Sequence, residues 1–204
     1  SNFVFQHNGN IVDADQYTSK RGKIFFMRME WELDGFSLGR PEIPMAFKPL
    51  ADQYNIKWTL HFTDDVPRMA IFVSQHLHCL HDLLFRYKSG QLACSIDLVV
   101  SNHRDAEAMA GQWGVEFLHV PVAPEVKAAA ESRQLAALQS RAIDLVVLAR
   151  YHQILSAGFV QHYPNRIINI HHSFLPAFAG GNPYAQAFRK GVKIIGATSH
   201  YVVE

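Results

Sequence analysis

Hydrophobic and polar positions along the 204-residue chain follow two different patterns, and the change falls near residue 63. In the first part, apolar residues recur at helical or alternating spacing. Phe3, Val4 and His7 share a helix face, and Gly9 is placed to stop that helix as a left-handed cap. Residues 11–18 and 23–33, rich in branched and aromatic side chains, read as a hairpin turned at Ser19-Lys20-Arg21-Gly22. Ile43, Ala46, Phe47 and Leu50 form the stripe of an amphipathic helix, which Pro49 is expected to kink or shorten. Residues 57–62 alternate as a third strand. The order helix, strand, strand, helix, strand predicts a small antiparallel sheet with helices on one face, short of one strand.

Thr63-Asp64-Asp65-Val66-Pro67 reads as a linker, and continuous apolar runs follow it. Residues 69–73, 96–100, 117–122, 145–149 and 167–170 have the character of strands buried on both faces. Helical stretches at 78–87, 105–113 and 125–140 separate them. Strands joined through helices imply right-handed crossovers and a mostly parallel sheet. Ligands of such sheets bind beyond the carboxyl ends of the strands, so the loops after Val73, Val100, Ala149 and Ile170 are the places to search.

Composition narrows the classes. With 49% hydrophobic and 18% charged residues the chain can bury a core, which excludes a disordered tail or a coiled coil. A net charge of +1 argues against nucleic acid or an anionic membrane as partner. No apolar stretch reaches the roughly 18 residues of a membrane helix, and SNFVFQHNGN is no secretory leader, so the chain reads as soluble and cytoplasmic. Cys79 and Cys94 suit a reducing compartment. The first residue is Ser, and the last, Glu204, falls inside the strand-like KIIGATSHYVVE, so both ends of a longer protein are expected to be missing.

Histidine, at 12 residues, is the outlier. In the segment Arg166-Ile167-Ile168-Asn169-Ile170-His171-His172-Ser173, Asn169 and His171 are two apart and project to one side of a strand end. A carboxamide there can donate to a carbonyl oxygen that becomes negative, and an imidazolium can add charge or pass a proton to a leaving nitrogen. The bland alternative is that both stabilise the loop opened by Pro176. Arg150-Tyr151-His152-Gln153-Ile154-Leu155 could line a heteroaromatic pocket or be an ordinary polar loop. Thr198 and His200 alternate onto one face. His76, His78, Cys79 and His81 lack the usual zinc spacing, only His78 and His81 sharing a helix face, so no metal is expected and His76 or His78 is better placed to line a water path. His171 and His172, as strand neighbours, should point to opposite faces. Residues 125–140 form an Ala-rich helix whose propensity needs no functional explanation.

The succession RMAIFVS, DLVVSN, DLVVLARYHQIL, RIINIHHSFLPAF, NPYAQAF and GVKIIGATSHYV resembles the formyltetrahydrofolate deformylases, the hydrolase branch of the folate-dependent formyltransferases. The resemblance implies an α/β protein. Residues 1–63 would be a ferredoxin-like α+β unit of the ACT type without its first strand. Residues 67–204 would be a mostly parallel, Rossmann-like catalytic domain of the formyltransferase type without its C-terminal part. It further implies that Asn169 binds the formyl oxygen, that His171 is the electrostatic or acid partner, and that Gln153, Ile154 and Leu155 hold the pterin through their backbone with Arg150 and Tyr151 nearby. Ser173, Thr198 and His200 would face the substrate, His200 supporting the acid residue. A third catalytic member, an Asp, is expected a few residues past the HYV segment, beyond Glu204, which is a poor substitute for it.

The transferases of this group grip a substrate phosphate with a glycine-rich loop after the first strand. Here that stretch, residues 73–81, contains no glycine, which favours water as acceptor. The implied reaction is hydrolysis of 10-formyltetrahydrofolate to tetrahydrofolate and formate for purine synthesis, with folate as substrate and no cofactor. A homo-oligomer, with glycine or methionine as regulator at the first unit, is implied as well. A formyltransferase with an amine acceptor, or an amino-acid sensor with an inert second domain, are the alternatives.

Overall fold

The computed structural model describes residues 1–174, 177 and 183–203, arranged as two units, Ser1–Phe62 and Thr63–Glu204. The first unit holds α1 (Asn2–Gln6), β1 (Asn10–Ser19), β2 (Ile24–Glu32) and α2 (Glu42–Gln53). β1 and β2 pair antiparallel from Asn10↔Glu32 to Ser19↔Ile24, with an irregularity between Ile11 and Asp13. Val4, Phe36 and Ile43 form the small core beneath them.

Three expectations for this unit need correction. Asn8, with φ 59°, takes the left-handed position after α1, not Gly9. Gly9 serves close approach instead, since a Cβ there would collide with Val4 Cγ1. Pro49 does not shorten α2, which continues to Gln53. Residues 57–62 form no strand, so the ordered sheet of this unit is a two-strand hairpin and the full ferredoxin-like sheet is not seen. The alternation that predicted a strand is real: Trp58, Leu60 and Phe62 are half-buried while Lys57, Thr59 and His61 are exposed. Leu60 and Phe62 pack on the small core and Trp58 meets Phe47 edge-on at 5.0 Å, so period-two burial is satisfied without a backbone ladder.

The second unit runs β3 (Arg68–Val73), α3 (His78–Lys88), β4 (Ser95–Ser101), α4 (Glu107–Gln112), β5 (Glu116–His119), α5 (Lys127–Ser140), β6 (Leu145–Ala149), α6 (Ala157–His162), β7 (Ile167–His171), α7 (Pro183–Arg189) and β8 (Thr198–Tyr201). Its six strands are ordered β5-β4-β3-β6-β7-β8, all parallel except β8, which runs antiparallel to β7. The apolar runs form strands because both faces are covered. Phe72, Leu98, Val146 and Leu148 face one core with Tyr151 and Phe159, and Ile71, Val73, Val99 and Val147 face the other with Leu80 and Leu84 of α3. Burying each such side chain stabilises the fold by about 1.5–3 kcal/mol. β5 ends at His119, short of the expected residue 122, because Pro121 has no N–H for a ladder. Among the described residues of the C-terminal segment, Thr198–Tyr201 is strand.

From β3 the chain winds one way to β4 and β5, then returns to the other side for β6 and β7. The order reverses between β3 and β6, and the crevice at their carboxyl ends is where an open α/β sheet takes its ligand.

Candidate active site

β7 and β8 place four polar side chains together. Asn169 lies opposite His200 and His171 opposite Thr198, and directly opposed residues of an antiparallel pair share a face. β7 pairs with β6 only through Asn169, so His171 stands beyond the neighbouring strand. Asn169 Nδ2 is 3.3 Å from His200 Nε2, and His200 Nδ1 is 3.0 Å from the Tyr201 carbonyl. An amide nitrogen can only donate and a carbonyl can only accept, so His200 sits as the neutral tautomer with its proton on Nδ1. It fixes the carboxamide through one N–H and leaves the second pointing elsewhere.

The chain turns sharply after β7. Ser173 N donates to the His171 carbonyl at 2.8 Å, closing a three-residue turn, and Thr198 Oγ1 donates to the Ser173 carbonyl at 2.8 Å. The turn overrides strand alternation, so the rings of His171 and His172 stack 5.7 Å apart instead of pointing to opposite faces. Of the segment that follows, Leu175 and Pro176 lie outside the described residues, as does Glu204.

The loop between β6 and α6 is held in a strained form. Arg150 and His152 both have left-handed backbones, with φ 60° and 59°, a conformation that costs a non-glycine residue roughly 1–2 kcal/mol. Two clasps to α5 over-determine it. Tyr151, only 2% exposed, meets Phe72 edge-on at 5.2 Å, and its hydroxyl accepts from Gln134 Nε2 at 2.7 Å. Burial pushes the Tyr151 phenol up to about 12, so it stays neutral. At the other end Ser156 donates to the buried Glu131 from its backbone N at 2.9 Å and from its hydroxyl, and Ser156 Oγ caps α6 by accepting from Phe159 N at 3.2 Å. Between the clasps Ile154 is 85% exposed and Leu155 packs on the core.

Glu131 and Gln134, one helical turn apart on α5, escaped the sequence reading. The available signal was a polar pair at i, i+3 inside an Ala-rich helix. Replacing Glu131 by Ala strands the Ser156 donors and is expected to cost about 1–3 kcal/mol, with faster amide exchange across residues 152–155; urea unfolding and hydrogen exchange measure both.

Beside this loop the charges are cationic. Arg150 Nε lies 3.4 Å from His152 Nε2, and the His152 ring is 6.0 Å from that of His76 in the loop after β3. Burial first, then Arg150, His76 and His172, hold the His152 imidazole below its ordinary range. Burial, Arg150 and His171 do the same to His172. His78 and Cys79 line a cavity of about 300 Å³ with Val147, Ala149 and Ile170. His81 instead meets Trp113, with ring centres 6.1 Å apart. Among the described residues no group of three His, Cys, Asp or Glu is placed to hold a metal. A cleft of about 450 Å³ beside Arg104, His119 and Arg133 lies at β5, the far edge of the sheet from β7, and is no part of this constellation.

Folding stability should fall with acid in two windows. His152 and His172 bind protons more weakly when folded, so the unfolded chain takes up more protons and stability declines as pH drops below about 6.5. For Asp97, burial opposes ionisation, but bonds from Ser95 and Arg68 and the Arg68 charge outweigh it; for Glu116 the Arg141 bond leads. Both carboxyls are lowered, so a second decline begins below about pH 4.5. Thermal midpoints measured against pH give the test.

Comparison with known proteins identifies the family. The formyl transferase family model matches residues 67–204. A formyltetrahydrofolate deformylase of Synechocystis sp. is 52% identical over 199 residues, covering 98% of this chain and 70% of the relative. One from Bacillus subtilis is 43% identical over 203 residues, covering 99% of this chain and 68% of the relative. The crystal structure of a formyltetrahydrofolate deformylase from Pseudomonas syringae pv. tomato superposes with a TM-score of 0.96 at 40% identity, over 100% of this chain and 68% of that one. Matched in sequence over nearly its whole length and in fold over all of it, the chain belongs to the formyltetrahydrofolate deformylase family of hydrolases.

Proposed function

We propose that this protein hydrolyses 10-formyltetrahydrofolate to tetrahydrofolate and formate at the carboxyl end of β7. Water adds to the formyl carbon, and the carbonyl oxygen becomes an oxyanion. Asn169 donates its free N–H to that oxygen, and His171 adds positive charge beside it and supplies the proton with which N10 departs. As the oxyanion collapses back to a carbonyl the C–N bond breaks, its electron pair leaving on N10, which takes the proton from His171. The Asp that the resemblance places past Glu204 takes the water proton. Gln153, Ile154 and Leu155 present backbone groups to the pterin, with Arg150 beside them and Tyr151 anchoring the loop from below. Ser173 and Thr198 hold the turn carrying His171, and His200 orients Asn169.

The observation that carries this reading is the Asn169–His200 contact at 3.3 Å, on the face and at the strand end where His171 also stands. Water as acceptor is supported by the segment after β3, Ser74-Gln75-His76-Leu77-His78, which has no glycine to let a backbone wrap a phosphate; His76 and His78 line the water path instead. Residues 1–63 complete a ferredoxin-like ACT unit in the assembled protein and take glycine or methionine as regulator, with residues 67–204 as the catalytic domain. The protein is a cytoplasmic homo-oligomer whose formate feeds purine synthesis. No helix among the described residues is long and apolar enough to cross a membrane.

Incubation with 10-formyltetrahydrofolate and no amine should release formate and tetrahydrofolate in equal amounts. A strict requirement for an amine acceptor would overturn the reading in favour of transfer.

A further inference from the structure

We propose that Arg150, His152, His76 and His172 form a binding site for a small carboxylate, occupied by the formate that leaves the reaction centre. Formate as the natural occupant rests on the hydrolase reading above; the site's preference for a small carboxylate rests on its own geometry.

Arg150 is the first observation. Among the described residues it forms no ion pair with a carboxylate, and its Nε donates to His152 instead. A guanidinium on a half-buried residue and without a carboxylate partner is the group that a planar carboxylate satisfies best. The second is the backbone: Arg150 and His152 both hold left-handed conformations, with the Tyr151 clasp between them, so the strain is spent on aiming these two side chains. The third is the company. His76 lies 6.0 Å from His152, and the His172 ring stacks on His171 at 5.7 Å and meets Tyr184 of α7 at 5.1 Å. The cluster stands at the point where strand order reverses, one residue past the end of β6. Of the acids nearby, Asp82 on α3 is committed to Arg86 at 2.8 Å, and Cys79 is a thiol that burial keeps protonated.

The 3.4 Å contact defines how the site would work. Arg150 Nε donates to His152 Nε2, so that nitrogen carries no proton. A carboxylate arriving beside them accepts from Arg150 with one oxygen, and His152 takes a proton from solvent and donates to the other. Desolvation first, then the Arg150 charge, make that proton unwelcome until the anion arrives, so binding and protonation are linked.

The test is histidine-ring NMR of the full chain titrated with sodium formate, with acetate and inorganic phosphate in parallel. Formate should shift the His76 and His152 resonances, and its affinity should rise about tenfold for each unit that pH falls from 8 to 7, as uptake of one proton requires. His152→Asn, whose side chain tolerates the left-handed backbone, should weaken formate about tenfold and remove the pH slope. His76→Asn, outside the strained loop, should flatten the slope in part and guards against misfolding of the first variant. Unmoved histidine resonances, or an affinity indifferent to pH and to both variants, would overturn the site, as would tighter binding of phosphate than of formate. A chain that turns over 10-formyltetrahydrofolate but shows no formate shift keeps the function and loses this site. One that binds formate as described but releases none from the folate keeps the site and loses the function.

Discussion

Replacing Asn169 by Ala is expected to lower kcat and kcat/KM together by about 100- to 1,000-fold, the loss that follows removal of one oxyanion donor. The equal fall matters, because the N–H that His200 leaves free acts on an oxygen that becomes negative only as water adds. Folding should barely register the change. The side chain is half-buried and makes one hydrogen bond, worth about 0.5–1.5 kcal/mol. Asn169→Asp should be as damaging or worse, since a carboxylate would face the growing negative charge. Steady-state kinetics with urea unfolding on the same variants separates the two effects; an Asn169→Ala enzyme with only a raised KM would assign the carboxamide to ground-state binding.

His171→Ala is expected to cost about 100- to 10,000-fold, the range for loss of a positioned acid. His171 stands past the end of the β6 pairing and is followed at once by the turn that Ser173 closes, so the imidazole is presented at the strand tip. If it gives a proton to N10, the loss falls on kcat for formate release, which steady-state kinetics reads directly. A variant within tenfold of the wild-type kcat would show that another group supplies the proton.

What the sequence could reveal followed from one kind of physics. β3, β4 and β6 are visible because a strand covered on both faces must be apolar throughout, and the carboxyl ends of such strands are where α/β sheets bind ligands. Alternation put Asn169 with His171, and Thr198 with His200, but only the register of β7 against β8 brings the two pairs together. The same alternation misled at residues 57–62, where it records burial on one side and no ladder exists. Glu131 and Gln134 were invisible for a third reason. Their partners lie 25 and 17 residues away, across a crossover whose path no local pattern encodes. Gly9 shows the limit of turn rules, since its missing side chain serves contact with Val4 while Asn8 turns the chain.

The most direct trial is a structure of the protein with a formyl-folate analogue whose C–N bond resists water. The formyl oxygen is expected about 2.7–3.1 Å from Asn169 Nδ2, the His171 ring beside the folate nitrogen, and the pterin against the backbone of residues 153–155. A formyl group bound at another strand end, with Asn169 still held by His200 and touching nothing of the ligand, would contradict it.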